Sequence, residues 1–195
     1  IFYPDNTAKI YKYKEKEVRQ HFKISGFGGQ GVLSLGTVLS EMGMRHDYEV
    51  SWLPSYGPEM RGGTANCSVK ISSRKIGTPL VDEPTLLVAM NRPSLDKFED
   101  NVVPDGIIIY DNSLVDRKPE RDDIEAIGIP ATQIADDLGS TRVANMVIVG
   151  AINEKLDLLS EEVIMESIGD VLKKKKFEDI NQKAIKKGAE FIKNM

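Results

Sequence analysis

The chain has 195 residues, of which 41 % are hydrophobic and 29 % are charged, values typical of one soluble globular domain. The formal net charge of −4 argues against a nucleic-acid partner, because phosphates would be repelled. A single cysteine, Cys67, excludes an internal disulfide or an iron–sulfur site and fits a reducing compartment. No apolar stretch reaches the roughly 18 residues of a membrane span, and the first residues lack a signal-peptide layout. We therefore expect a cytoplasmic protein.

The first third of the chain shows a polar beginning followed by alternating strand and helix patterns. Residues 1–20 are predicted to be a polar N-terminal arm, which is either ordered or a disordered tail. A single domain is predicted at 21–195. Apolar periodicity then predicts a strand, a helix and a second strand that Pro54 ends; they lie at 21–27, 29–45 and 48–53.

The remaining elements complete an α/β pattern. An alternating run at 64–71 predicts a half-exposed strand with Asn66, Ser68 and Lys70 on its outer face. Buried strands are predicted at 85–90 and 106–110, a last short strand at 124–129, and helices at 93–99, 143–155, 161–176 and 180–193. This order predicts a three-layer α/β/α sandwich with a mostly parallel or mixed sheet, a Rossmann-like first unit and a helical C-terminal part.

The loop after the first strand reads Gly-Phe-Gly-Gly-Gln-Gly, which has the glycine spacing of a dinucleotide-binding fingerprint. Its candidate anion-binding residues are Gly26, Gly28, Gly29, Gln30 and Gly31. The acid that would hold a ribose is missing, because Glu49 begins the second strand instead of ending it. The loop is therefore either an anion site or only a tight turn, and the Gln30 amide is able to bond a ligand or a partner backbone.

A second glycine-rich loop follows the second strand and is dense in polar groups on a constrained backbone. Open α/β sheets bind their ligands at the carboxyl ends of strands, where this loop lies. Arg61 is suited to a carboxylate or phosphate, although a local pair with Glu59 is the alternative. The candidate substrate, coenzyme A or subunit-interface residues are Ser55, Tyr56, Gly57, Glu59, Arg61, Gly62 and Gly63.

Together the two loops resemble a known family. Gly-Phe-Gly-Gly-Gln-Gly at 26–31 and Pro-Ser-Tyr-Gly-Pro-Glu-Met-Arg-Gly-Gly-Thr-Ala at 54–65 are similar to the gamma subunit of 2-oxoacid:ferredoxin oxidoreductases, of the 2-oxoglutarate or branched-chain (ketoisovalerate) type. Asn91-Arg92-Pro93 and Arg142-Val143-Ala144-Asn145-Met146 extend the resemblance, which covers the chain from about residue 21 onward.

The resemblance implies a complex that oxidatively decarboxylates a 2-oxoacid to an acyl-CoA and reduces ferredoxin. It implies thiamine diphosphate, magnesium and iron–sulfur clusters on alpha, beta and delta-type partner subunits, with coenzyme A and ferredoxin reached through the complex. This chain then has no catalytic residue, metal or cofactor of its own and is inactive alone, and a homodimer of the isolated chain is allowed. The alternatives are a free-standing nicotinamide or flavin oxidoreductase and a pure interaction module.

Other chemistry-bearing residues receive structural interpretations. His21 and His46 are predicted to be surface residues, and Cys67 a small core residue. Asp111, which ends a buried strand, suits either a ligand or a turn. Trp52 is expected to anchor the second loop or to lie at a subunit interface.

Overall fold

Short runs of aliphatic residues form the strands of one mixed sheet in a computed structural model, which describes residues 17–56, 64–158, 160, 163–166, 168 and 177–195. The strands are β1 (Arg19–Phe27), β2 (Glu49–Tyr56), β3 (Thr64–Ser72), β4 (Leu86–Ala89), β5 (Ile107–Asp111) and β6 (Glu125–Ile129). The helices are α1 (Val32–Arg45), α2 (Arg92–Phe98), α3 (Ala131–Asp137), α4 (Ala144–Leu156) and α5 (Glu178–Lys193). Single 3₁₀ turns follow α2 and precede α4, at Glu99–Asn101 and Thr141–Val143.

The sheet has the order β2-β3-β1-β4-β5-β6. The last four strands of this order, β1, β4, β5 and β6, run parallel to one another. β3 is antiparallel to both β1 and β2, so β1 and β2 run in the same direction with β3 between them. The predicted α/β class and mixed sheet are confirmed, and the first β-α-β unit differs from a Rossmann unit in this inserted strand.

Helices cover both faces of the sheet, which gives the three layers. One face packs against α1, α3 and α4, and α5 lies on α4. The other face packs, over β4 and β5, against α2 and the segment that contains Val115. α4 and α5 approach closely at Gly150 and Gly188, since a Cβ atom on either glycine would overlap backbone atoms of the opposite helix.

The predicted end of the second strand at Pro54 is wrong. β2 continues through Pro54, which pairs with Cys67, and ends at Tyr56. β2 is the edge of the sheet, where a residue without a backbone N–H is tolerated because one side of the strand needs no partner. β1 also begins at Arg19, two residues earlier than predicted.

Two burial predictions are also wrong. Asn66, Ser68 and Lys70 are buried, with exposures of 9 %, 4 % and 9 %, because β3 lies inside the sheet with a neighbouring strand on each side. His46 is only 4 % exposed at the end of α1, where its ring stacks on Tyr48 with centroids 6.3 Å apart.

The helix predicted at 161–176 falls largely outside the described residues. Within it, residues 163–166 and 168 are helical, and Val163, Ile164 and Ile168 are buried as predicted. The other two members of its predicted apolar stripe, Val171 and Leu172, lie outside the described residues. No helix in the described part of the chain combines the length and apolar character that a membrane crossing requires.

Candidate functional site

The carboxyl ends of β1 and β4 meet at one edge of the sheet, where α1 and α2 begin. The loop from β1 to α1 contains the first glycine motif. Gly29 and Gly31 both adopt positive φ angles, of 103° and 77°, which side chains other than glycine rarely accept. Gly31 is the N-terminal cap residue of α1, and no side chain caps this helix end.

The Gln30 side chain turns inward and joins this loop to the end of β4. Its Oε1 accepts hydrogen bonds from the Phe27 backbone N–H at 2.6 Å and from Asn91 Nδ2 at 3.1 Å. Its Nε2 donates to the carbonyl oxygen of Met90 at 2.8 Å. The sequence left open whether the Gln30 amide bonds a ligand or a backbone. In the structure it bonds backbone groups of its own chain.

Asn91 connects this amide to the first turn of α2. Its Oδ1 accepts a hydrogen bond from the Ser94 backbone N–H at 2.9 Å, which caps the helix. The Ser25 hydroxyl, at the end of β1, in turn donates to Ser94 Oγ at 2.9 Å. All three side chains are buried, with at most 2 % exposed. The start of α2 is thus fixed to the end of β1.

Asn145 closes the same edge from a distant part of the chain. It lies in the first turn of α4, and its Nδ2 donates to the Gly31 carbonyl oxygen at 3.3 Å. A Cβ atom on Gly31 would overlap the Asn145 amide, with Asn145 Cγ only 2.8 Å away. We call the group formed by Ser25, Gln30, Gly31, Asn91, Ser94 and Asn145 the carboxyl-edge cluster.

The position of Glu49 in the sheet tests whether the Gly26–Gly31 loop could belong to a dinucleotide-binding site. Glu49 and Arg19 both pair with Ser72, so Glu49 lies at the amino edge of the sheet, opposite the Gly26–Gly31 loop. The nine residues of β1 separate the two edges by about 26 Å. Glu49 therefore cannot reach a ribose at the loop, as expected from its place at the start of the strand.

Asp111 is used for a turn. Its carboxylate is fully buried and accepts hydrogen bonds from the backbone N–H groups of Ser113 and Thr132, both at 3.1 Å. The second of these contacts gives a partner to a backbone N–H group in the first turn of α3. Of the two roles left open by the sequence, the turn is the one that the contacts support.

The second glycine-rich loop begins where β2 ends. Ser55 and Tyr56 are the last residues of β2, whereas Gly57, Glu59, Arg61, Gly62 and Gly63 lie outside the described residues. Ser55 pairs with Asn66 of β3, which pairs with Ser25 of β1. Asn66 is 9 % exposed, and its Oδ1 has no hydrogen-bond partner among the described residues. Buried polar atoms are nearly always paired, so this oxygen calls for a donor.

Cys67 is a core residue, as predicted. It is fully buried against α1, and burial raises the pKa of its thiol to about 12. Trp52 lies next to it, since the Trp52 indole and the Cys67 sulfur both face Gly36 of α1, and the Trp52 side chain is 39 % exposed on the edge strand. One buried, protonated thiol does not fit an iron–sulfur cluster, which requires several thiolates. The described residues contain no group of three His, Cys, Asp or Glu side chains arranged for a metal.

The sequence interpretation missed how the carboxyl-edge cluster is assembled. Asn91 could have been found as a helix cap, because it precedes a helix with proline in the first turn. Asn145 is 114 residues from Gly31, and no local pattern predicts that contact. Both asparagines lie in the segments that carried the family resemblance.

Curated relatives match over most of the chain. It is 42 % identical over 178 residues to ketoisovalerate oxidoreductase subunit VorA of Methanothermobacter marburgensis, covering 90 % of this chain and 37 % of VorA. The chain therefore spans little more than a third of that relative. It is 34 % identical over 183 residues to 2-oxoglutarate synthase subunit KorC of Methanocaldococcus jannaschii, covering 92 % of this chain and 97 % of KorC.

Solved structures agree with the fold. The gamma subunit of a keto/oxoacid ferredoxin oxidoreductase from Geobacter sulfurreducens superposes with a TM-score of 0.79 at 26 % identity, covering 91 % of this chain and all of that one. A 2-oxoglutarate:ferredoxin oxidoreductase from Magnetococcus marinus, with 2-oxoglutarate, coenzyme A and succinyl-CoA bound, gives a TM-score of 0.80 at 27 % identity, covering 93 % of this chain and 32 % of that one.

The family model described as pyruvate ferredoxin/flavodoxin oxidoreductase matches residues 21–191. This range begins in β1 and ends in α5, so it contains both glycine motifs and every member of the carboxyl-edge cluster. The chain belongs to the pyruvate ferredoxin/flavodoxin oxidoreductase family.

Proposed function

We propose that this chain is the gamma component of a multi-subunit 2-oxoacid:ferredoxin oxidoreductase. The reaction is the oxidative decarboxylation of a 2-oxoacid to an acyl-CoA, with electrons passed to ferredoxin. The observation that carries the proposal is the end-to-end match with KorC, which aligns over 92 % of this chain and 97 % of its own length. The match extends over almost the whole of a curated subunit of such an enzyme.

In this proposal the cofactors belong to partner subunits of the alpha, beta and delta types. Thiamine diphosphate with magnesium would supply the decarboxylation chemistry, and iron–sulfur clusters would carry the electrons. This chain has one cysteine, buried in the core, and would act as a scaffold on the coenzyme A side. A cytoplasmic location is part of the same proposal, since Cys67 is a free thiol.

The proposed contact surface is the carboxyl edge of the sheet with the loop at 55–63. Arg61 would face an anionic group of the 2-oxoacid or of coenzyme A, because a guanidinium pairs with carboxylate or phosphate through two hydrogen bonds. Asn66, which pairs with Ser55, has a buried Oδ1 without a donor among the described residues, and a donor such as the Arg61 guanidinium would satisfy it at this edge. The relative from Magnetococcus marinus binds coenzyme A, which supports the same choice of ligand.

The Gly26–Gly31 loop is proposed as a secondary anion contact at the same edge. The first turn of α1 presents backbone N–H groups that no side chain caps, and helix N-termini favour anions. The Gln30 amide is already used within the chain, so its role is to hold the loop shape. Gly28 and Gly29 would then be the residues closest to an incoming group.

Co-purification tests the assignment as a subunit. The tagged chain is co-expressed with the genes beside its own, and the purified material is analysed for partner chains, thiamine diphosphate and iron. We expect stoichiometric partners that carry both cofactors and a 2-oxoacid-dependent and coenzyme A-dependent reduction of ferredoxin. Recovery of the chain alone, together with tight binding of NADH or FAD, would instead favour the free-standing oxidoreductase.

Kinetics of an Arg61→Ala complex test the contact surface. Loss of a charge-assisted hydrogen bond costs about 1.5–3 kcal/mol, so the apparent KM for the oxoacid or coenzyme A should rise at least tenfold. The control is Lys187→Ala, which removes an exposed ammonium group paired with Glu190 within α5, away from this surface. Equal kinetics of the Arg61 variant and the control, in an intact complex, would refute the role of Arg61.

A further inference from the structure

A cavity of about 310 Å³ opens at the amino edge of the sheet, at the end opposite the carboxyl-edge cluster. It lies between the start of β1, the end of β3 and the segment that follows β3. Five basic side chains line it, and Glu17 is the acidic one; the basic residues are Arg19, His21, Lys70, Arg74 and Lys75. The lining is therefore basic, although the chain has a formal net charge of −4.

Lys70 is the residue that most needs explanation. It projects from β3 between His21 of β1 and Ser51 of β2, and only 9 % of it is exposed. Within the described part of the chain no carboxylate forms an ion pair with its ammonium group. Lysine is almost never this buried without a partner, and an anion in the cavity that Lys70 lines would supply one.

The other cations leave the cavity with an excess of positive charge. Arg74 forms an ion pair with Glu17 at 2.9 Å, which neutralises the acidic residue. Among the described residues, neither Arg19 nor Lys75 forms an ion pair, so within that part of the chain these two groups and Lys70 face the cavity without a paired carboxylate. Three such charges favour a multiply charged anion, and phosphate is the common small dianion that arginine and lysine both recognise.

The pKa of His21 depends on the positive charges around this cavity. Its backbone N–H donates to Thr85 Oγ1 at 2.9 Å, which fixes its place on β1. Burial lowers the pKa of the imidazole, and the charges of Lys70 and Arg19 lower it further. A bound anion would cancel these two charges and favour the protonated ring. The titration of His21 is therefore a direct reporter of an anion in the cavity.

We propose that the cavity bordered by Arg19, His21, Lys70, Arg74 and Lys75 is a binding site for a phosphate-class dianion, either free phosphate or the phosphate group of a larger ligand. The ammonium group of Lys70, at the end of a side chain that lines the cavity, is its central contact. Arg19 and Lys75 supply the remaining charge at the rim. The site lies about 26 Å from the Gly26–Gly31 loop along β1, so it does not rest on the proposed role of that loop.

Proton NMR of the full 195-residue chain tests this with inorganic phosphate as the probe. The chain has two histidines, so each gives its own imidazole resonances, and His46 near the end of α1 serves as an internal reference. We expect saturable phosphate-dependent shifts of the His21 signals and an upward move of their titration midpoint, with His46 unchanged. Chloride at equal ionic strength should produce neither effect.

Three variants separate a specific site from general attraction. Lys70→Met should weaken phosphate binding at least tenfold, whereas Lys183→Met, on the exposed face of α5, should leave it unchanged. Lys70→Arg, which keeps the charge, should retain binding and guards against misfolding of the methionine variant. Titration with a phosphate monoester distinguishes the two sources of the anion. Absence of saturable phosphate binding by the wild-type chain, or equal binding by Lys70→Met and wild type, would overturn the proposal.

Discussion

Gln30 and Met90 are joined across the ends of β1 and β4 by a hydrogen bond of 2.8 Å from Gln30 Nε2 to the Met90 carbonyl oxygen. Because the same amide also accepts from Phe27 and Asn91, one side chain satisfies three polar groups at this edge. The first glycine motif thereby acquires a fixed shape. Gly26 is required beside it, since a Cβ atom there would lie 2.8 Å from Gln30 Oε1.

Replacement of Gln30 by glutamate should destabilise the fold. The carboxylate cannot donate to the Met90 carbonyl, which is left facing a negative charge. We expect a loss of about 1–3 kcal/mol in the free energy of unfolding, measured by urea denaturation. Gln182→Glu in α5 is the matched control and should change it by less than about 0.5 kcal/mol. A Gln30 variant as stable as the control would show that these bonds contribute little.

Gly31→Ala should lower the free energy of unfolding more than the same replacement at Gly77. The new Cβ atom would need a φ of 77° and would overlap the Asn145 amide. We expect a loss of roughly 2 kcal/mol or more in the free energy of unfolding. Gly77→Ala is the control, since its Cβ atom would meet nothing within 4 Å at an ordinary φ. The overlap is tested by adding Asn145→Ala, which should recover part of the loss; no recovery would leave backbone strain as the whole cause.

The elements that the sequence predicted best are the strands whose burial shows directly in their own run of apolar residues. Leu86–Ala89 and Ile107–Asp111 read as buried strands because both of their faces are covered, which requires apolar residues at nearly every position. The burial of the alternating segment at 64–71 was harder to predict, because the polar residues of β3 are buried by neighbouring strands that lie far away in sequence. Alternation indicates two different faces, but not that one of them meets water.

In the candidate site, too, local features could be predicted from the sequence and long-range contacts could not. Glycine spacing located the loop and its place between β1 and α1. The partner of Gly31 could not be derived, since Asn145 comes from α4 and meets the loop only after the chain has folded. The family resemblance included Asn91 and Asn145 without giving them a role. The contacts now give both residues a positioning role around the first loop.

Cys67 should be unreactive in the folded protein. With the pKa of its thiol raised to about 12 by burial, only about one molecule in ten thousand holds a thiolate at pH 8, and the sulfur is covered by α1. We expect the rate of labelling by a thiol reagent to match the rate of global unfolding and to increase with urea. Fast labelling of the native chain, at a rate independent of urea, would contradict the placement of Cys67.

Stability should fall as the pH falls below about 6.5. Burial lowers the pKa of His46, so the unfolded chain takes up a proton at a higher pH than the folded one. The contribution of His46 is present above the unfolded pKa and is lost as the pH falls toward the folded value, with a slope of at most about 1.4 kcal/mol per pH unit. His46→Gln should reduce the slope of the free energy of unfolding between pH 7.5 and 5.5. A slope equal to that of wild type would rule out this contribution.

If the chain is a required subunit of a 2-oxoacid:ferredoxin oxidoreductase, its partner subunits should be inactive without it. The most direct measurement compares the rate of ferredoxin reduction, with 2-oxoacid and coenzyme A present, by the purified partner subunits before and after this chain is added. We expect a negligible rate for the partners alone, a negligible rate for this chain alone, and full activity at a one-to-one ratio of this chain to the thiamine-binding partner. An unchanged rate on addition of the folded chain would show that the chain is not a required subunit.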